Sequence, residues 1–143
     1  MRVYVDMVGD LFHVGHVRLL KRARELGGRP EHTTLVVGVH DDEAVQAYKR
    51  CPTIPHAQRV EMLESCRHVD QVIPHAPLHI TEAYLGQHQI DVVVHAHAAD
   101  DTRYHDMYRV PIQLGKFRRL EYTPGVSTTA IMQRLLHAAD AAK

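Results

Sequence analysis

Four consecutive residues near the start of the chain, His13-Val14-Gly15-His16, carry the densest chemistry in the sequence. They follow an apolar run, Val3-Tyr4-Val5-Asp6-Met7-Val8, and precede an amphipathic one, so a strand is expected to run into a helix there. The histidines would sit at the strand's carboxyl end and in the helix's first turn, where unpaired backbone N–H groups and the helix dipole favour an anion. Imidazole adds N–H donors that can follow charge as it develops on phosphate oxygens, and Gly15 allows the backbone to approach closely. The residue types therefore point to a phosphate. A helix that merely begins with polar residues accounts for the same four positions.

The elements that would hold this turn read as alternating strands and helices. Residues 2–8 fit a strand buried on both faces of a parallel sheet. From Val14 to Leu26 the apolar positions fall mainly on one helical face, and Gly27-Gly28 stops the helix. Thr33 to Val39 is a second buried strand, and Asp41-Asp42-Glu43 opens another helix with acidic residues where the dipole favours them. Tyr48 to Pro55 is a break that carries Lys49 and Arg50. Beyond it the pattern predicts a helix over 56–67, a strand over 69–73 and a helix over 79–88. A strand over 90–94, a polar loop from Ala96 to Asp101 and a short helix over 103–109 stopped near Pro111 come next. A charged strand near 117–122 and a last helix from Ser127 to about Ala139 complete the alternation. The expected fold is α/β and Rossmann-like: a single domain over residues 1–143 with a mainly parallel sheet of about five strands and helices on both faces. Ligands of such sheets bind at the strands' carboxyl ends. No G-x-G-x-x-G opens the first helix, which disfavours a dinucleotide-dependent dehydrogenase.

Composition narrows the partners. The 17 basic and 17 acidic residues cancel, so the overall field favours neither nucleic acid nor an anionic membrane surface. Cys51 and Cys66 form no C-x-x-C pair, and no run of about 18 apolar residues is present, which reads as a protein of the reducing cytoplasm. Thirteen histidines are many for 143 residues. They assemble no zinc-ligand spacing, so they are expected to be ordinary surface residues, and no protein metal site is expected.

A second stretch, Gly125-Val126-Ser127-Thr128-Thr129, also precedes a helix. His13-Val14-Gly15-His16 resembles the H-x-G-H signature of the nucleotidyltransferase superfamily, and Gly125 to Thr129 resembles the G-[IV]-S-T-T signature of its cytidylyltransferase branch. Between them, Val36 to Glu43, Gln58 to Leu63 and Val69 to Pro74 are similar, in order and spacing, to the ethanolamine-phosphate and glycerol-3-phosphate cytidylyltransferases. The resemblance implies transfer of CMP from CTP to a small phosphate or phosphonate acceptor with release of pyrophosphate. It implies catalytic roles for His13, His16 and Lys49, the last on a mobile loop. It implies nucleotide contacts from Val8, Gly9, Asp10, Gly15, Arg59, His95, Tyr122, Thr123, Gly125, Val126, Ser127 and Thr128. Acceptor contacts would come from Asp42, His97 and Arg118. Mg²⁺ would be held mainly by the CTP phosphates and water rather than by a protein cage, and a homodimer is usual among similar enzymes.

Three departures from the family pattern bear on specificity. Met7-Val8-Gly9-Asp10 replaces a G-x-F-D run, keeping only the aspartate. Ala96-His97-Ala98 stands where an acidic stretch is usual, and Tyr122 stands where the family has a phosphate-binding arginine, for which Arg118 or Arg119 would have to compensate. Histidines in place of acids favour an acidic acceptor, such as a small acidic phosphonate or phosphate of natural-product biosynthesis. The rival readings are an ethanolamine-phosphate or glycerol-3-phosphate cytidylyltransferase, an adenylyltransferase of the same superfamily, a non-catalytic nucleotide-binding domain, and a histidine-rich metal-binding module.

Overall fold

A computed structural model describes residues 1–143. Five strands form one sheet: β1 (Arg2–Met7), β2 (Thr34–Val39), β3 (Gln71–Ile73), β4 (Val92–Ala96) and β5 (Phe117–Leu120). Every pairing is parallel and the order is β3-β2-β1-β4-β5. The chain thus builds outward from β1 on one side and then crosses to β4 on the other. The reversal leaves a crevice at the carboxyl ends of β1 and β4, the switch point where α/β sheets take ligands.

The two central strands, β1 and β2, are mostly apolar because both faces are covered. On β1, Val3, Val5 and Met7 face one core while Tyr4 faces the other, and Leu35, Val37 and Val39 alternate with Val36 on β2 in the same way. The first core takes Leu20 and Ala23 from α1 (Val14–Leu26) and Leu63 from α3 (His56–Glu64), which follows the short α2 (Asp42–Gln46). The second takes Leu85 from α4 (Glu82–Gln87) and the aromatic pair Tyr104 and Tyr108. Gly38 is required on β2, since a Cβ there would lie 2.2 Å from the Tyr4 hydroxyl.

Several element boundaries differ from the sequence expectation, each for a local reason. The fourth strand begins at Val92 rather than Ile90, because the Ile90 N–H closes the end of α4 on Leu85 and pairing with β1 starts at Val3↔Val92. The helix expected over 103–109 is instead α5 (Arg109–Gln113). Pro111 falls in its first turn, where a missing N–H costs nothing, so it helps start the helix rather than stop it. Residues 79–81 lie outside α4, because Thr81 caps it by accepting from the Tyr84 N–H at 3.1 Å. The last helix, α6, runs over Thr128–Ala141. None of the helices is long and apolar enough to cross a membrane.

Candidate active site

The turn after β1 is shaped by its own side chains. His13 is the N-cap of α1: its Nδ1 accepts the Gly15 N–H at 3.0 Å, while Nδ1 of His16 accepts the His13 N–H at 3.1 Å. These reciprocal bonds replace the Ser/Glu capping box with two imidazoles. They also decide the tautomer, for an Nδ1 that accepts carries no proton, so each neutral ring bears its N–H at Nε2. Burial lowers the His13 pKa, and burial followed by the neighbouring His13 lowers that of His16 to about 4, so both act as neutral donors at pH 7. Gly15 is demanded by this packing. A Cβ there would lie 2.8 Å from Cε1 and 2.9 Å from Nδ1 of His13.

The second motif is docked on the first. The Thr128 hydroxyl donates to the Asp10 carbonyl at 3.1 Å, and His13 Nε2 stands 3.4 Å from the same hydroxyl. Ser127 caps α6 by accepting the Ala130 N–H at 3.0 Å, which leaves its own proton free to donate. Two helix N-termini with their unpaired first-turn N–H groups therefore open onto one cleft of about 970 Å³.

The loop bearing Lys49 is anchored rather than free. The Asp10 carboxylate accepts the N–H groups of Thr53 and Ile54, both at 2.9 Å. Arg59, 1% exposed, donates to Ile54 O at 3.0 Å, Val8 O at 2.5 Å, His40 O at 2.9 Å and Asp42 Oδ1 at 2.5 Å. On the near side, the Lys49 N–H closes on Val45 O at 2.8 Å. Partial removal from water, then the Arg103 and Arg50 guanidiniums, lower the Lys49 pKa from its ordinary value.

At the other end, under β4, the cleft has a polar floor. Asp6 accepts from the Tyr108 hydroxyl at 2.5 Å and pairs with His40 Nε2 at 3.2 Å. Burial alone would raise the Asp6 pKa, but the hydrogen bond and charge of His40, helped by His95 and Tyr108, bring it below the ordinary value. A carboxylate thus stays ionised beneath the rings of Tyr104, Tyr108 and His95. The Nδ1 of His40 is buried and has no hydrogen-bond partner.

Of the residues expected from sequence, His13, His16, Lys49, Val8, Gly9, Asp10, Gly15, His95, Tyr122, Thr123, Gly125, Val126, Ser127 and Thr128 line this one cleft. Four do not. Arg59 is a buried strut whose donors are used on backbone carbonyls and Asp42, and Asp42 is the partner of that strut. Arg118 turns to the carbonyls of Phe117 and Gly115, away from the cleft. His97 is 5% exposed and packs between Tyr104 and Phe117, its Nδ1 2.9 Å from that of His95. The anion-binding set expected at the acceptor end is therefore not assembled there. The expectation of surface histidines is likewise corrected at His40 and His97, which are buried polar groups held by neighbours. Asp6, His40, Tyr48, Arg50, Tyr104 and Tyr108 also line the cleft and were not singled out as site residues from sequence. A lone carboxylate inside the apolar run of β1 was the available signal for Asp6, since a buried charge needs a partner.

The family model for cytidylyltransferase-like proteins matches residues 9–134. The choline-phosphate cytidylyltransferase of Saccharomyces cerevisiae is 36% identical over 145 residues, covering 98% of this chain and 32% of the yeast protein. The ethanolamine-phosphate cytidylyltransferase of Dictyostelium discoideum is 37% identical over 142 residues, covering 94% of this chain and 37% of its own length. The chain thus spans about a third of each of these curated relatives. In structure, a lipopolysaccharide core biosynthesis protein from Thermoplasma volcanium superposes with a TM-score of 0.68 at 21% identity, over 86% of this chain and 98% of its own, a likeness of fold. With both signature motifs meeting in one cleft and the family model spanning nearly the whole chain, the protein belongs to the cytidylyltransferase-like family.

Proposed function

We propose that the cleft transfers CMP from CTP to the phosphate of a small acceptor. The observation that carries this reading is the reciprocal imidazole cap, which leaves two neutral Nε2–H donors beside two helix N-termini. In the reaction an acceptor phosphate oxygen attacks the α-phosphorus of CTP, forming one P–O bond as the bond to the leaving pyrophosphate breaks. No proton has to be removed from the acceptor, so the chain's task is alignment and charge stabilisation. His13 and His16 donate toward the reacting phosphates, the first turn of α6 holds others, and Lys49 supplies a point charge from its anchored loop. A Mg²⁺ ion brought by CTP would supply further shielding of phosphate charge. Asp10, the carboxylate of the turn after β1, already spends both oxygens on the amides of Thr53 and Ile54, which fits a metal carried by substrate and water.

The acceptor end supports a cationic tail. Tyr48, Tyr104 and Tyr108 line it, and aromatic rings suit an ammonium group. The relatives named for choline and ethanolamine phosphate support the same class. A phosphonate would present the same attacking oxygens, so it enters the test as a competitor. Pyrophosphate release from each of the four nucleoside triphosphates, measured against ethanolamine phosphate, choline phosphate, glycerol 3-phosphate, an aminoalkyl phosphonate and a carboxylated phosphonate, decides among these. CTP with an amino-alcohol phosphate is the expected pair. A higher kcat/KM for the carboxylated phosphonate would overturn the cationic tail, preference for ATP would make this an adenylyltransferase, and no release with any pair would leave a nucleotide-binding domain.

A further inference from the structure

A triphosphate brings about four negative charges into a cleft that this chain lines with few cations. Lys49 and Arg50 are the only lysine or arginine side chains that line it. The other nearby arginines are committed elsewhere. Arg119 donates to His97 O and Glu121, Arg22 to Glu121 O, and Arg103 grips Asp101 through both carboxylate oxygens. Arg118 points out to Phe117 O, and Arg59 is buried in the strut described above. None of the chain's eight ion pairs includes Arg50.

We propose that Arg50 is a phosphate-binding residue of this cleft, closing together with Lys49 on the polyphosphate of the nucleotide. The inference rests on the proposed reaction and adds to it a residue outside both signature motifs. Two adjacent unpaired cations repel each other, as the influence of Arg50 on the Lys49 ammonium indicates, and an anion between them removes that cost. The backbone on either side is held, with Lys49 N–H on Val45 O before it and Thr53 and Ile54 on Asp10 after it. Arg50 is therefore presented from a short tethered span, which limits the entropy lost when it engages. Its planar fork can take two phosphate oxygens at once, while Lys49 acts as a point charge. This pair supplies the cationic contact that Tyr122 cannot make from the second motif.

The test uses the whole chain with Arg50→Ala and Arg50→Lys. Two readouts are compared: the affinity for inorganic pyrophosphate by calorimetry, which needs no turnover, and the KM values for CTP and acceptor. Arg50→Ala should weaken pyrophosphate binding and raise the KM for CTP by about 10–100-fold, with the acceptor KM changing less, and Arg50→Lys should restore only part because it loses the fork. Thermal stability should not move, since the side chain is exposed and makes no contact that folding needs. Pyrophosphate affinity and CTP KM within about twofold of the parent overturn the proposal, as does a parent that binds no pyrophosphate at all. A parent that binds pyrophosphate but releases none from CTP refutes the reaction alone, and the affinity ratio of parent to variant still decides the role of Arg50.

Discussion

Replacing Gly15 by alanine should separate the architecture of the phosphate turn from its stability. The new Cβ would stand 2.8 and 2.9 Å from His13 ring atoms and 3.4 Å from Val126 Cγ1. The first two distances are too short for carbon, and the imidazole is the mobile partner, so His13 should leave its cap. Losing an N-cap bond costs about 1 kcal/mol, while alanine in place of glycine in a helical turn returns about as much. The net change in stability should therefore stay within about 1 kcal/mol, or roughly 3–4 °C in Tm for a chain of this size. Activity should behave differently, because the displaced ring no longer presents Nε2–H at its place, and removing one such donor typically costs about 10²–10³-fold in kcat. Melting curves and pyrophosphate release on Gly15→Ala, His13→Ala and the double variant form the assay. The two single losses should not add, since both remove the same donor. A Gly15→Ala protein within about fivefold of the parent in kcat/KM, at parent stability, would refute the claim that the cap positions a catalytic imidazole. A fall in Tm beyond about 10 °C would show instead that the clash is not absorbed by His13.

Asp10→Ala removes the acceptor of the Thr53 and Ile54 amides. It should cost about 1–3 kcal/mol and open the Lys49–Arg50 segment to trypsin, and an unchanged cleavage rate there would sink the anchoring role. Arg59→Met leaves the carbonyls of Val8, His40 and Ile54 without their donors, so a loss of about 3 kcal/mol or more is expected by urea denaturation, and near-parent stability would show that the strut is dispensable. His16 and His95 are both lowered to about 4, chiefly by burial. The unfolded chain takes up protons on them below about pH 6.5 while the folded chain does not, so this stability is full above that pH and lost as pH falls toward 4, by up to about 3 kcal/mol each. Denaturation midpoints between pH 7.5 and 4.5 should decline accordingly, with His95→Gln flattening part of the slope; a flat profile in the parent would contradict neutral, buried histidines.

The sequence by itself determined what depends on neighbours along the chain. The β1 run into the H-x-G-H turn, the α1 span from Val14 to Leu26 and the alternation that makes a parallel sheet follow from local pattern. The helix starts at Asp41-Asp42-Glu43 and at Ser127 were equally legible, and the structure closes them with caps from Asp41 and Ser127 onto N–H groups three residues on. Tertiary structure decided what depends on distant pairing. Arg59 became a strut because folding carries it among carbonyls 5, 19 and 51 residues away, and no local spacing encodes that set. Arg118 left the acceptor site because β5 directs alternate side chains to opposite faces, and register fixes which face meets the cleft. His97, just past β4, left it because Tyr104 and Phe117 pack around its ring. Asp6, His40 and Tyr108 meet through partners 34 and 102 residues apart. A charge buried in the middle of an apolar strand is stable only where the fold brings such partners to it, so the floor of the acceptor end belongs to the tertiary structure.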